Sequence, residues 1–115
     1  MATNELYYYQ TASGEQPFVE WLAGLADKQA RARIEARLAR VAAGTLGDVK
    51  TAGEGVLELR IDWGPGYRVY FSRLGNVIVL LLCGGDKRTQ QKDIKRAKAY
   101  FEDFKERTTK TPRGA

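Results

Sequence analysis

Three stretches decide the fold: Val56-Leu57-Glu58-Leu59-Arg60-Ile61, Tyr67-Arg68-Val69-Tyr70-Phe71-Ser72-Arg73 and Val77-Ile78-Val79-Leu80-Leu81-Leu82-Cys83. The first two alternate. Leu57, Leu59 and Ile61 face one way and Glu58 and Arg60 the other; Val69 and Phe71 oppose Arg68, Tyr70 and Ser72. That is the pattern of half-buried strands. The third is a continuous apolar run, which suits a strand covered on both faces. Gly64-Pro65-Gly66 and Leu74-Gly75-Asn76 read as the turns between them, and Gly84-Gly85 as the end of the third. The expectation is an antiparallel meander.

Upstream, Leu6-Tyr7-Tyr8-Tyr9-Gln10 has strand propensity. Pro17 suits a first helical turn, because its missing N–H has no intrahelical partner there. Phe18, Trp21, Leu22 and Leu25 follow at helical spacing. Asp27 is placed to cap a second helix striped by Ile34, Leu38 and Val41, and Gly44 to stop it. Residues 44 to 55 are glycine-rich and read as a loop. Downstream, Thr89 can cap a last helix that buries Ile94, Ala97, Phe101 and Phe104. The reading is an α+β fold of order β-α-α-β-β-β-α, with an antiparallel central sheet and the helical hairpin packed on one face. Most of the other face is expected to stay partly open, bounded by the last helix. Residues 1–107 form a single domain, and residues 108–115 read as a flexible tail.

The composition narrows the chemistry. The 115 residues fit one domain, and 43% hydrophobic with 29% charged residues is the balance of a globular chain. The single cysteine rules out a disulfide within the chain, and the lack of histidine removes imidazole bases, triads and His-ligated metals together. No segment approaches the roughly 20 apolar residues that cross a bilayer, so no membrane association is expected. Met1-Ala2-Thr3-Asn4-Glu5 lacks a basic, then apolar, leader. The sequence therefore reads as cytoplasmic.

The net charge of +5 is unevenly spread. Residues 1–59 hold six bases against eight acids; residues 60–98 hold nine bases against three acids. Such a basic half suits an anionic partner, and equally a solvated basic surface.

Strand periodicity places Arg60 and Arg68 on one open face, with Lys87 and Arg88 at its rim. Gathered cations are costly unless an anion joins them, and guanidinium matches phosphate. The alternative is a surface ladder in which Glu58 and Asp62 pair with these arginines. Trp63 either stacks on a base or caps the edge of the core. Arg33, Arg37 and Arg40 form a basic stripe on the second helix; Lys92, Lys95 and Arg96 lie away from the buried side of the last. Each stripe is either a solvated face or part of an RNA footprint. Cys83 reads as a small buried apolar residue.

The run from Leu57 to Phe71, with Leu81-Leu82-Cys83-Gly84-Gly85-Asp86-Lys87, Thr89-Gln90 and Lys92-Asp93-Ile94, resembles the RelE/ParE toxin superfamily. Its nearest likeness is the phage-derived HigB-like "addiction module killer" branch. Pro17-Phe18 with Trp21-Leu22, and Gly47-Asp48-Val49-Lys50, also look like that branch. The likeness spans Leu6 to Phe104. It implies the toxin of a type II toxin–antitoxin pair, partnered by a helix-turn-helix antitoxin.

Many superfamily members cut mRNA in the ribosomal A site; the ParE-like members inhibit DNA gyrase and cleave nothing. The resemblance makes Arg68 the contact to the scissile phosphate and puts Lys87 and Arg60 where such members carry further basic groups; the expectation is that Arg60 assists Arg68 and that Lys87, or else Tyr67 or Tyr70, carries the proton. Trp63, Arg88, Lys92, Lys95, Arg96, Arg33, Arg37 and Arg40 then grip RNA. It implies no metal and no organic cofactor. An inactive relic that only binds its antitoxin is a third expectation. Nucleases of the superfamily that use a C-terminal histidine offer no scheme for this chain.

Overall fold

A computed structural model describes residues 3–110. The order is β1 (Glu5–Tyr8), α1 (Pro17–Ala23), α2 (Lys28–Ala42), β2 (Val49–Gly53), β3 (Val56–Ile61), β4 (Tyr67–Leu74), β5 (Ile78–Asp86) and α3 (Gln90–Lys110), with a 3₁₀ turn at Lys87–Thr89 before α3. The chain is α+β, with three helices and a five-stranded sheet ordered β1-β5-β4-β3-β2. The meander β3-β4-β5 is antiparallel as the alternation required.

The strand pairing differs from the sequence reading in two ways. The sheet is mixed, because β1 lies parallel to β5, with Leu6 opposite Val79 and Tyr8 opposite Leu81. The two helices carry the chain away from β1, and β1 finds its partner only after the meander is complete. The segment read as a loop also contains a strand. In β2, Val49 pairs with Leu59 and Thr51 with Leu57. Its glycines belong to the hairpin turn, where Gly53, Glu54 and Gly55 all take positive φ.

The helical hairpin covers one face. Asp27 accepts hydrogen bonds from the backbone N–H groups of Gln29 (2.9 Å) and Ala30 (3.1 Å), satisfying two donors at the start of α2. Phe18, Ala30, Ile34, Leu38 and Val41 pack there on Leu59, Ile61, Val69, Phe71, Val79 and Leu81. The opposite face is more closed than expected: α3 lays Ala97 and Phe101 on Val56, Tyr70, Leu80 and Leu82, with Ile94 and Phe104 at the margin.

Gly84 and Gly85 do not end β5; they lie within it. A Cβ on Gly84 would collide with the Trp21 ring, and one on Gly85 with the Asp93 carboxylate. The glycines let α1 and α3 press onto the strand from either side. Helix α3 runs further than expected, so residues 108–110 are helical, and the Thr108 hydroxyl donates to the Phe104 carbonyl at 2.8 Å. The rest of the expected tail lies outside the described residues. Among the described residues no helix is long and apolar enough to cross a membrane.

Candidate active site

Arg60 in β3 and Arg68 in β4 are directly opposed in register, and Arg68 is in turn opposite Gly85 of β5. Both project from the face that carries Glu58 and Tyr70, away from Leu59 and Val69. Glu58 binds the pair together. Arg60 Nε donates to Glu58 Oε1 at 3.0 Å, and Arg68 Nε stands 3.8 Å from the same oxygen. The other oxygen accepts from the Tyr70 hydroxyl (3.3 Å) and from Gln90 Nε2 (2.7 Å).

Glu58 is only 3% exposed. Burial pushes its pKa up, but the bonds from Gln90 and Arg60 and the charges of Arg68 and Arg60 outweigh that, leaving it below the usual carboxylate range. It is an ionised anchor. It already accepts from Arg60, Tyr70 and Gln90, and a carboxylate so stabilised is a poor proton acceptor. Tyr70 titrates well above an ordinary tyrosine, through burial first and then the charges of Glu58 and Asp93. It stays a neutral donor to Glu58.

Arg68 is buried, with Nη1 3.2 Å from the Gly66 carbonyl and 3.4 Å from that of Tyr67. Its Nε has no hydrogen-bond partner. Gly66 has φ +81°, and a Cβ there would lie 3.3 Å from Arg68 Nη1 and 3.5 Å from Lys87 Cβ. The glycine thus brings Lys87 beside Arg68. Lys87 is exposed in the 3₁₀ turn and has no ion pair among the described residues. Two guanidiniums therefore share one carboxylate, which leaves the pair with a net positive charge, and the Cβ of Lys87 lies next to it across Gly66.

Arg88 folds back instead. Its Nη2 pairs with Asp86 at 2.9 Å, and Asp86 also accepts from the Arg88 backbone N–H at 2.8 Å. Beside it, Lys87, Arg88, Lys92, Lys95 and Arg96 line a shallow hollow of about 740 Å³ at the start of α3. Arg96 pairs with the buried Asp93 at 3.2 Å, while Lys92 and Lys95 have no ion pair among the described residues. Cations at a helix N-terminus oppose the helix dipole, so this arrangement favours an anion in the hollow.

The α2 stripe divides. Arg37 is buried, contrary to the solvated stripe expected of it: Nη1 donates to the Arg60 carbonyl (2.7 Å), and Nη2 to those of Leu46 (3.0 Å) and Asp48 (3.3 Å). It pins the loop before β2 and is not available to RNA. Trp63 packs at the edge of the core, donates Nε1 to Asp27 at 3.2 Å, and carries the Arg33 guanidinium 3.8 Å above its ring. The core-capping reading of Trp63 is the one realised. Arg33 and Arg40 are exposed and line a second hollow with Asp48, Arg60 and Asp62.

The ladder alternative is realised for Glu58, which pairs with both Arg60 and Arg68, but buried rather than at the surface, and among the described residues Asp62 takes no part in it. One residue of the site escaped the sequence reading. Gln90 gave no signal, since only the docking of α3 brings it to β3. Cys83 is buried, its thiol pushed up to about 12 by burial. Among the described residues no group of three or more His, Cys, Asp or Glu side chains comes together.

No family model matches the chain. It is 53% identical over 87 residues to an uncharacterized protein of Haemophilus influenzae, a match covering 76% of this chain and 88% of that protein.

Proposed function

The chain belongs to one family with the uncharacterized Haemophilus influenzae protein, and we propose that it is the toxin of a type II toxin–antitoxin module, a ribosome-dependent and metal-independent mRNA endoribonuclease with a RelE-like fold. The observation that carries the reading is the direct opposition of Arg60 and Arg68, with Lys87 across Gly66 from Arg68.

In the reaction, the 2′-oxygen of one nucleotide attacks the adjacent phosphorus. The O2′–P bond forms, the P–O5′ bond breaks, and a 2′,3′-cyclic phosphate and a 5′-OH remain. The 2′-OH gives its proton to solvent water, and the departing 5′-oxygen gains one from Lys87. Arg68 and Arg60 stabilise the phosphorane, whose negative charge grows as the bond forms. Glu58 fixes the two guanidiniums in place, which spares the transition state that reorganisation. Lys87 is an exposed ammonium at the rim and donates a proton to the 5′-oxygen.

With Glu58 unsuited to be the base, acid–base catalysis is weak and the rate depends on holding the linkage in line. The ribosome supplies that geometry, and the basic hollow at the start of α3 grips ribosomal RNA. A helix-turn-helix antitoxin neutralises the toxin in the cytoplasm.

A second reading draws on the burial of Arg68. A guanidinium already paired with a carboxylate suits a scaffold, as in a ParE-like gyrase inhibitor that cleaves nothing. Inducing the chain without its partner and mapping mRNA 5′ ends separates the two. Cuts within translated codons, lost in Arg68→Ala, support the nuclease. Intact messages with stalled replication support gyrase, and harmless expression an inactive relic.

A further inference from the structure

Strand β1 is an edge of the sheet, with β5 on one side and, among the described residues, no strand on the other. The Glu5 and Tyr9 N–H groups donate to the carbonyls of Val77 and Leu81, on the β5 side, at 2.8 and 2.9 Å. Backbone groups alternate in direction along a strand, so those of Leu6 and Tyr8 point to the bare side. Natural edge strands are blunted by charge, proline or a cover. β1 has Glu5 alone for this, and the large apolar side chains exposed among the described residues, Tyr7, Tyr8, Val19 and Val77, all gather here. Tyr7 and Tyr8 belong to β1, Val77 holds the Glu5 N–H, and Val19 lines a hollow of about 700 Å³ with Leu6, Tyr8, Phe18 and Leu22.

We propose that a second copy of the chain docks on this edge, β1 against β1 about a two-fold axis, so that the two sheets become one. Only one antiparallel register lets both Leu6 and Tyr8 of each copy pair through free backbone groups. In it, Leu6 of each copy opposes Tyr8 of the other and exchanges both N–H···O bonds with it, and Tyr7 meets its own counterpart on the axis. A shift one way needs the Asn4 N–H, which already donates to the Ala42 carbonyl at 2.9 Å. A shift the other way needs the Gln10 carbonyl, which already accepts from Arg107. Residues 5, 7 and 9 share a face, so the register sets Glu5 of one copy beside Tyr9 of the other. The Arg107 guanidinium lies 5.7 Å from the centre of that Tyr9 ring. A carboxylate thus meets a guanidinium at both ends of the pairing. On the other face, Tyr8 of the second copy comes beside Leu6, at the apolar hollow. Any extended peptide would satisfy the backbone; the match of Glu5 to Arg107 selects a second copy. Arg60 and Arg68 lie on β3 and β4, beyond β5 from this edge, so the inference does not rest on RNA cleavage.

Sedimentation equilibrium of the purified full chain from about 1 to 200 μM, with amide hydrogen exchange at both ends of that range, tests this. The expected result is a reversible dimer of twice the 12.9 kDa chain, in which the Leu6 and Tyr8 amides exchange more slowly than at the dilute end. Tyr7→Glu sets like charges directly opposite each other on the axis. Tyr7 is 51% exposed, so the variant should keep the wild-type melting temperature at the dilute end and weaken the dimer at least tenfold. Glu5→Lys, which turns the match with Arg107 into repulsion, should weaken it at least threefold. A wild-type chain that stays monomeric throughout overturns the proposal and leaves the edge to the strand of a different protein. A dimer that both variants leave unchanged overturns it too, as does one in which the Leu6 and Tyr8 amides exchange as they do in the monomer.

Discussion

Gln90, the first residue of α3, donates to the Glu58 carboxylate in the middle of β3 at 2.7 Å. The bond ties the last helix to the strand that carries Arg60, so the cation cluster and the docking of α3 depend on each other.

Removing the Glu58 charge therefore acts on stability first. Glu58→Gln leaves Arg68 buried without a carboxylate, and breaking a buried pair in this way costs about 3–5 kcal/mol, with the lower end expected because Arg60 remains partly solvated. Urea denaturation checks this. Gln90→Ala, which removes one neutral donor to a charged acceptor, should cost about 1.5–3 kcal/mol.

Acid should act through the same group. Glu58 titrates below its unfolded value, so in that window the unfolded chain binds more protons than the folded one. Its contribution is complete above the unfolded pKa, about 4.3, and is lost as pH falls through the lower folded value. Asp27, Asp86 and Asp103 are lowered too. The informative quantity is thus the difference in melting temperature between wild type and Glu58→Gln, which should shrink as pH is taken from 6 towards 3.

Arg37 should prove structural. Arg37→Ala abandons the carbonyls of Arg60, Leu46 and Asp48, at about 1–3 kcal/mol for unmet buried acceptors. Arg40→Ala, by contrast, should leave the melting temperature almost unchanged. Thermal melts of the two variants, side by side, make the comparison.

Gly84→Ala places a methyl group against the Trp21 ring. Overpacking of this kind costs about 1–3 kcal/mol, and a Trp21→Ala background should relieve much of it. A double-mutant cycle measures that coupling.

The meander was legible because period-two alternation is a local property, and alternation alone puts Arg60 and Arg68 on one face. The α2 cap and stop were legible for the same reason: Asp27 and Gly44 act on their own neighbours. What stayed hidden depends on distant chain. β2 is a short, half-exposed edge strand whose glycines belong to its turn, so only pairing with β3 defines it. Gly84-Gly85 looks like a strand end until Trp21 and Asp93 arrive against it. Arg37 has the spacing of a surface stripe, and becomes buried only because the loop at Leu46–Asp48 folds over it. Glu58 is the same case within the site: its face followed from alternation, but its burial comes from α3.

Lys87 offers the most direct test of the site as a catalytic centre, since it is exposed and has no ion pair among the described residues, so Lys87→Ala should fold as the wild type does. The measurement is single-turnover cleavage of an mRNA codon held in the A site of a stalled ribosome, by wild type and Lys87→Ala of equal melting temperature. The account predicts cleavage by wild type, leaving 2′,3′-cyclic phosphate ends, and a loss of roughly 10²–10⁴-fold in the variant. Equal cleavage by both proteins, or no cleavage by wild type, would contradict it.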